Sequence, residues 1–360
     1  MNEHESTLTW LPECSPEAVR RGLRVAAPDL AGARIDLRTR GPLSPRSRRA
    51  TALLNGKFVL KFAWSQPAAA LAREARTLQA LADLSLSVPR PLLVSWTPML
   101  FLYRRIEGEP FVWDRLGAQP TAGRRAFAAS VAHLLAELHA PATLEHVHAA
   151  GVALETPLPR VDGDRLRRHL LPRVDAERAA WVTRVLDRVD HVLTASAESL
   201  VFLHGDLHGW NMVVDAACTR VIGLLDLELA CAGDHHFDLR YLPALAPTLD
   251  LTQRVSAEYE RATGRRVLPE RVLAWNVLTD LGDALWRTEA GVEVIGGPIS
   301  RRIDGLAARL AAAELDWGGG GPAHDPPGVV TNFPSGPRWL TLGDGVRGRL
   351  RVRGQDGVHL

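Results

Sequence analysis

A polar octapeptide caught between apolar runs constrains this chain more than any other feature. Residues 200–203 are apolar and lead without a linker into His204-Gly205-Asp206-Leu207-His208-Gly209-Trp210-Asn211, and apolar runs follow at 212–214 and 221–225. Short runs that are apolar throughout read as strands buried on both faces. The octapeptide is therefore pinned inside the protein, with Asp206 and Asn211 five residues apart. The last run delivers Asp226, twenty residues after Asp206. A carboxylate at the end of a buried strand is unfavourable unless it is paired or metal-bound. Either aspartate alone reads as a turn or cap residue; the two together, at fixed places between buried strands, do not.

The spacing matches the loop H-x-D-L-x-x-x-N of phosphoryl-transfer enzymes, in which the aspartate takes a hydroxyl proton and the asparagine binds a metal ion. Asp226 is then a second metal ligand, and a metal bridging phosphate oxygens supplies the partner its burial demands.

The basic residues add an independent sign. Of 43 lysines and arginines only Lys57 and Lys61 are lysine. Coding bias explains the arginine excess but not the positions where lysine persists. Arginine is a planar fork, so a site that needs a compact point charge does not accept it. Lys61 lies inside a strand predicted over 57–64, after an Asn55-Gly56 hairpin turn, and Lys57 flanks the turn. A helix starting at Pro67 follows, with Leu71, Ala75, Leu78 and Leu81 at helical spacing. Glu74 falls within that apolar arc, where an unpaired acid is unfavourable, and an ion pair from Lys61 to Glu74 is expected.

Residues 1–105 thus read as a small β-rich unit: strands at 34–40, 51–54, 57–64, 92–95 and 99–104, with one helix. From 106 to 317 the chain is mainly helical, with helices predicted at 124–139, 164–171, 175–199, 254–264 and 270–289 around the buried strands. Residues 318–360 open with four glycines and read as a disordered tail, apart from an alternating piece at 346–352. Net charge is +2 from 43 basic and 41 acidic residues, which argues against nucleic acid as a partner. Three scattered cysteines, an acidic N-terminus and no apolar stretch long enough to span a bilayer lead to the expectation of a cytoplasmic protein without a membrane partner.

Over residues 30–315 the chain resembles the aminoglycoside phosphotransferase and choline kinase-like family of protein-kinase-fold small-molecule kinases. The resemblance rests on Lys61, Glu74, Leu135-Ala136-Glu137-Leu138-His139, the loop 204–211, Asp226-Leu227-Glu228, Gly233-Asp234 and Asp238-Leu239. Gly205 stands where a protein kinase has arginine, and Asp226-Leu227-Glu228 where it has D-F-G, so control by a phosphorylated activation loop is not expected.

The resemblance implies an α+β, bilobal protein-kinase-like fold with a β-rich N-lobe and a larger helical C-lobe. It implies Asp206 as catalytic base, Asn211 and Asp226 as magnesium ligands, and Lys61 on the α- and β-phosphates of ATP or GTP, held by Glu74. Adenine would meet backbone near Tyr103, Arg104 and Ile106. Asp238 would anchor the catalytic loop, with His139 and His204 as packed structural residues. One departure is the phosphate-covering segment 41–47, which holds two prolines and no G-x-G-x-x-G; Ser44, Ser47 and Arg46 are expected to reach phosphate through side chains.

The implied reaction is O-phosphorylation of a small-molecule hydroxyl, on an aminoglycoside or another hydroxylated antibiotic, by a monomer or homodimer. A mild acidic excess over 224–289 suits a cationic acceptor. Asp280 and Asp283, one turn apart with Trp286 alongside, are the expected acceptor contacts, together with Glu228. Three other readings stand beside this one: a kinase of choline, homoserine or a sugar; a non-catalytic kinase-fold binder; and a metal hydrolase using His204, His208, His235 and His236 with Asp206.

Overall fold

The Asn55-Gly56 turn has φ of 52° and 70°, left-handed at both residues, and with Lys57 it makes a three-residue connection in place of the expected two, Leu54 pairing with Phe58. It joins two central strands of the N-terminal sheet in a computed structural model that describes residues 9–38, 49–65, 69–154, 162–194, 200–294, 296–315 and 317. The expected phosphate-loop residues Ser44, Arg46 and Ser47, the helix start at Pro67 and the tail from 318 lie outside the described residues.

The first described helix is α1 (Pro16–Ala26), which is not among the predicted elements although Ala18, Val19, Gly22 and Leu23 line one buried face at helical spacing. Ser15 caps it, its Oγ accepting from the Ala18 amide at 3.1 Å, and Pro16 starts the first turn. Strands β1 (Ile35–Arg38), β2 (Arg49–Leu54) and β3 (Phe58–Ala63) precede α2 (Ala69–Leu81); β4 (Pro91–Trp96) and β5 (Met99–Arg104) complete an antiparallel sheet in the order β1-β2-β3-β5-β4. The two-residue period of β3 sorts its side chains. Leu60 and Phe62 face α1, packing with Val19 and Leu23. Lys61 and Ala63 face α2, where Leu71, Ala75 and Leu78 pack with Phe101 and Tyr103. A charged residue is thus carried onto the covered face of a sheet, opposite Glu74.

After the crossover at 105–108 come β6 (Glu109–Pro110), α3 (Trp113–Gly117), α4 (Thr121–Leu138), α5 (Pro141–Ala149), α6 (Gly163–His169) and α7 (Ala176–Thr194). Then follow β7 (Val201–Leu203), β8 (Met212–Val214), β9 (Val221–Leu224), β10 (Cys231–Gly233), α8 (His236–Leu239), α9 (Leu242–Leu245), α10 (Asp250–Thr263), α11 (Pro269–Ala290) and α12 (Ile299–Ala312). The predicted buried strands all form. β8 and β9 make an antiparallel hairpin with β6 on its edge, and β7 pairs with β10. The fold is α+β, a sheet-rich N-terminal half on a helical C-terminal half.

The halves share one apolar core. Phe101 and Tyr103 from the sheet and Leu71 and Leu78 from α2 belong to the same buried cluster as Phe127, Leu207, Leu224 and Tyr259. A second core joins α7, α11 and α12 through Val185, Leu281, Leu285, Ile303 and Leu306. Among the described residues no helix is long and apolar enough to cross a membrane.

Candidate active site

The strand lysine and the helix acid meet as their placement requires. Lys61 Nζ donates to Glu74 Oε1 and Oε2 at 2.6 and 2.8 Å. The same ammonium reaches across to the end of β9 and donates to Asp226 Oδ1 at 2.8 Å. Burial works against the charge on Lys61, but Asp226 and Glu74 outweigh it and hold its pKa above the ordinary lysine value. Burial also pushes the Glu74 carboxyl up to about 7, against the pull of Lys61. Glu228 stands in the same group: oxygens of Glu74, Asp226 and Glu228 lie within 4.8 Å of one another. This placement puts it with the carboxylates around Lys61.

Asp226 itself is held in a left-handed conformation, φ 68° and ψ 63°, which is unfavourable for a residue with a side chain and turns it out of the β9 direction. Three acids around one lysine leave an excess of negative charge, and their hard oxygen atoms suit magnesium better than zinc. Asn211 offers an amide oxygen: its Nδ2 donates to the Asp206 carbonyl at 2.8 Å, which would leave Oδ1 to a metal, and its own carbonyl accepts from the Leu225 amide at 2.8 Å. The residues present therefore fit the group that the motif implies.

The loop is gripped from behind. Asp238, fully buried on α8, accepts from the amides of His204 at 2.7 Å and Gly205 at 2.9 Å. Burial alone would raise its pKa; the hydrogen bond from His139 and the nearby Arg240 overcome this and hold it below the ordinary carboxyl value. His139 Nε2 lies 3.2 Å from Asp238 Oδ2, and its Nδ1 lies 2.9 Å from the Tyr259 hydroxyl. A carboxylate can only accept, so Nε2 donates to Asp238, and in the neutral ring that leaves Nδ1 to accept from the Tyr259 hydroxyl. His204 is fixed as firmly: Nδ1 accepts from the Asp206 amide at 3.2 Å, and Nε2 donates to the Leu225 carbonyl at 2.9 Å. Gly205 is obligatory, since with φ at 80° a Cβ there would sit 2.0 Å from the Leu229 carbonyl oxygen.

Asp206 emerges from this scaffold 9% exposed. Its Oδ1 accepts from the Tyr241 hydroxyl at 2.6 Å and lies 4.0 Å from an Arg240 nitrogen; Oδ2 lies 3.6 Å from His208 Nε2. Neither Arg240 nor Tyr241 was singled out by sequence reasoning, because their contacts to the loop span 35 residues. Tyr103 and Arg104 end β5, and Ile106 lies in the crossover with its side chain over Gly223 of β9.

The chain belongs to the phosphotransferase enzyme family. The family model matches residues 40–275. Solved structures with the same fold include a GDP complex of aminoglycoside 2'-phosphotransferase-IIIa, at 19% identity and TM-score 0.61, covering 82% of this chain and 99% of that one. A GDP and kanamycin complex of APH(2")-IIIa is similar at 19% identity and TM-score 0.59, covering 80% and 97%. Macrolide 2'-phosphotransferase type I is similar at 21% identity and TM-score 0.52, covering 84% and 97%. This protein is thus a kinase-type phosphotransferase on the fold those enzymes share.

Two groups of expected residues have partners of their own within the chain. Asp280, on α11, is buried and paired with Arg302 of α12 and with Arg309 at 3.2 Å. Asp283 pairs with Arg287 at 2.9 Å, and that guanidinium lies 5.8 Å from the Trp286 ring. The helical face that carries the two aspartates meets α12, and its charges are balanced inside the chain; the expectation of acceptor contacts there is corrected. Of the histidines weighed for a metal centre, His235 and His236 offer ligand atoms within 4.8 Å of one another and of Asp234, while among the described residues His204 and His208 belong to no such cluster. His236 donates through Nδ1 to Asp234 at 2.5 Å while its Nε2 accepts from the Leu268 amide, and Arg271 also pairs with Asp234. His235 faces the Arg266 carbonyl, and burial lowers its pKa to about 4.

Proposed function

We propose that this phosphotransferase moves the γ-phosphoryl group of ATP or GTP to a hydroxyl of a small molecule, most naturally an aminoglycoside, a macrolide or another hydroxylated antibiotic. The observation that carries the reading is the bridge from Lys61 to Glu74 and Asp226, which joins residues 13 and 165 positions apart at the mouth of the Asp206 loop. Asp226 and Asn211 would hold magnesium, which when bound neutralises charge on the β- and γ-phosphates. Lys61, released in part from Asp226, contacts the α- and β-phosphates while Glu74 keeps it in place. Asp206 orients the acceptor hydroxyl in line with the γ-phosphorus and takes its proton; the new P–O bond forms as the bond to the bridging oxygen breaks and the nucleoside diphosphate leaves.

The acceptor is not expected to be caged by many acids. Asp234, Glu270, Asp280 and Asp283 are each paired with an arginine of the chain, and Asp206 is flanked by His208 and Tyr241, with the Trp210 ring edge-on to that of His208. A coupled nucleotide-consumption screen with ATP and with GTP, across aminoglycosides, macrolides, choline, homoserine and sugars, tests the reading. It predicts magnesium-dependent phosphorylation of at least one antibiotic, abolished in Asp206→Ala with nucleotide binding retained. Turnover by Asp206→Ala at the wild-type rate would refute the role of this residue, and phosphorylation confined to choline, homoserine or sugars would replace the antibiotic acceptor.

A further inference from the structure

One short stretch, 238–241, grips three consecutive residues of the catalytic loop in three ways. Asp238 takes the amides of His204 and Gly205, Arg240 donates through Nη2 to the Gly205 carbonyl at 2.7 Å, and Tyr241 donates to the side chain of Asp206 at 2.6 Å. The first two contacts hold the backbone. Only the third touches the reacting carboxylate, and its length is that of a charge-assisted O–H···O⁻ bond.

The tyrosine is itself locked. The Arg240 guanidinium lies 4.4 Å from the centre of its ring, and the His208 ring meets it edge-on at 5.6 Å and 86°. Arg240 is tied in turn to the Phe237 carbonyl at 2.7 Å and to Thr279 Oγ1 at 3.1 Å, with the Phe237 ring 3.6 Å from its guanidinium. A hydroxyl so constrained selects one rotamer of the carboxylate in front of it.

We propose that Tyr241 is a positioning residue for the catalytic base. Its hydroxyl fixes Asp206 Oδ1 and thereby assigns Oδ2, on the His208 side, to the acceptor. In the transfer step the acceptor proton goes to Oδ2, and Tyr241 keeps its own proton throughout. The proposal rests on Asp206 being the base. Without the tyrosine the carboxylate rotates among orientations, only some of which face the acceptor, and the loss falls on the chemical step and not on nucleotide capture.

The test compares Tyr241→Phe with a chain carrying 4-aminophenylalanine at 241, which restores a donor on the same ring, and with Asp206→Ala. Turnover is measured with magnesium-ATP and three acceptors: water (basal hydrolysis), kanamycin and a macrolide. Tyr241→Phe should lower kcat on the order of tenfold to hundredfold, with KM for ATP within about twofold of wild type. The amino variant should recover most of that loss. Wild-type kcat in Tyr241→Phe, an amino variant as slow as the phenylalanine one, or a rise in KM for ATP as large as the fall in kcat would each overturn the proposal. If Asp206→Ala is inactive and Tyr241→Phe is normal, only the role of the tyrosine falls; if Asp206→Ala is active, the base assignment falls with it.

Discussion

Replacing Asp238 by asparagine tests whether the loop is held by a buried charge. The wild-type carboxylate receives three donors: the His204 amide at 2.7 Å and His139 Nε2 at 3.2 Å on Oδ2, and the Gly205 amide at 2.9 Å on Oδ1. Asparagine keeps one oxygen. With that oxygen toward His204 and His139, its amino group faces the Gly205 N–H, so one hydrogen bond is lost and two donors oppose each other in a fully buried site. A bond to a charged acceptor contributes about 1.5–3 kcal/mol, and a buried donor left unmatched costs about 1–3 kcal/mol. The substitution should therefore destabilise the fold by about 3–5 kcal/mol, roughly a 4–7 °C fall in Tm at this size.

The pH dependence gives a second readout. The folded pKa of Asp238 is depressed, so its contribution is complete above the unfolded carboxyl value of about 3.9 and is lost as pH falls through the lower folded value. Denaturant titrations should show a wild-type advantage over Asp238→Asn that is constant from about pH 7 to pH 5 and narrows below about pH 4. Because the loop backbone shifts, kcat should fall on the order of a hundredfold. A variant within about 1 kcal/mol of wild type, or a stability gap that does not change below pH 4, would refute the charged-anchor account.

Two further substitutions probe the charges on either side of that loop. Lys61→Arg preserves charge but replaces a point donor by a planar fork in a site where one nitrogen serves both Glu74 and Asp226; turnover should fall at least on the order of a hundredfold, and rates near wild type would remove the argument for lysine at this position. Asp280→Ala leaves buried Arg302 and Arg309 without their shared carboxylate and should cost about 3–5 kcal/mol of stability with kcat retained, whereas a raised acceptor KM at unchanged stability would return Asp280 to the acceptor site.

Why Lys61, Glu74, Asp206, Asn211 and Asp226 could be named from the sequence, and Arg240 and Tyr241 could not, has a physical explanation. Asp206, Asn211 and Asp226 stand at fixed spacing between buried strands, and periodicity says which way the other two point: Lys61 alternates with Leu60 and Phe62 in β3, and Glu74 lies in the apolar arc of α2. A charged residue on an apolar face announces an unmet need that only a partner can satisfy. Arg240 and Tyr241 follow the four-residue α8, too short to have a readable period, and their partners are brought near by the fold alone. The same limit explains Asp280 and Asp283. The helix α11 was legible, but which neighbour covers each face is a property of tertiary packing, and α12 brings its arginines to the face that an acceptor had been expected to occupy.

Rarity is the one signal that crosses this limit. Arginine replaces lysine almost throughout, and one of the two lysines that remain, Lys61, is buried between Glu74 and Asp226. Tyrosine follows the same rule. The chain has ten tryptophans and eight phenylalanines but three tyrosines, and two of these donate their hydroxyls into the loop scaffold, Tyr241 to Asp206 and Tyr259 to His139. Phenylalanine fills the same volume without a buried polar atom that needs a partner, so a tyrosine retained in the interior marks a place where the hydroxyl itself is used. Lys57, beside its turn, answers to no such need, but Lys61, Tyr241 and Tyr259 each sit where one atom has a partner: Nζ between Glu74 and Asp226, and the hydroxyls against Asp206 and His139.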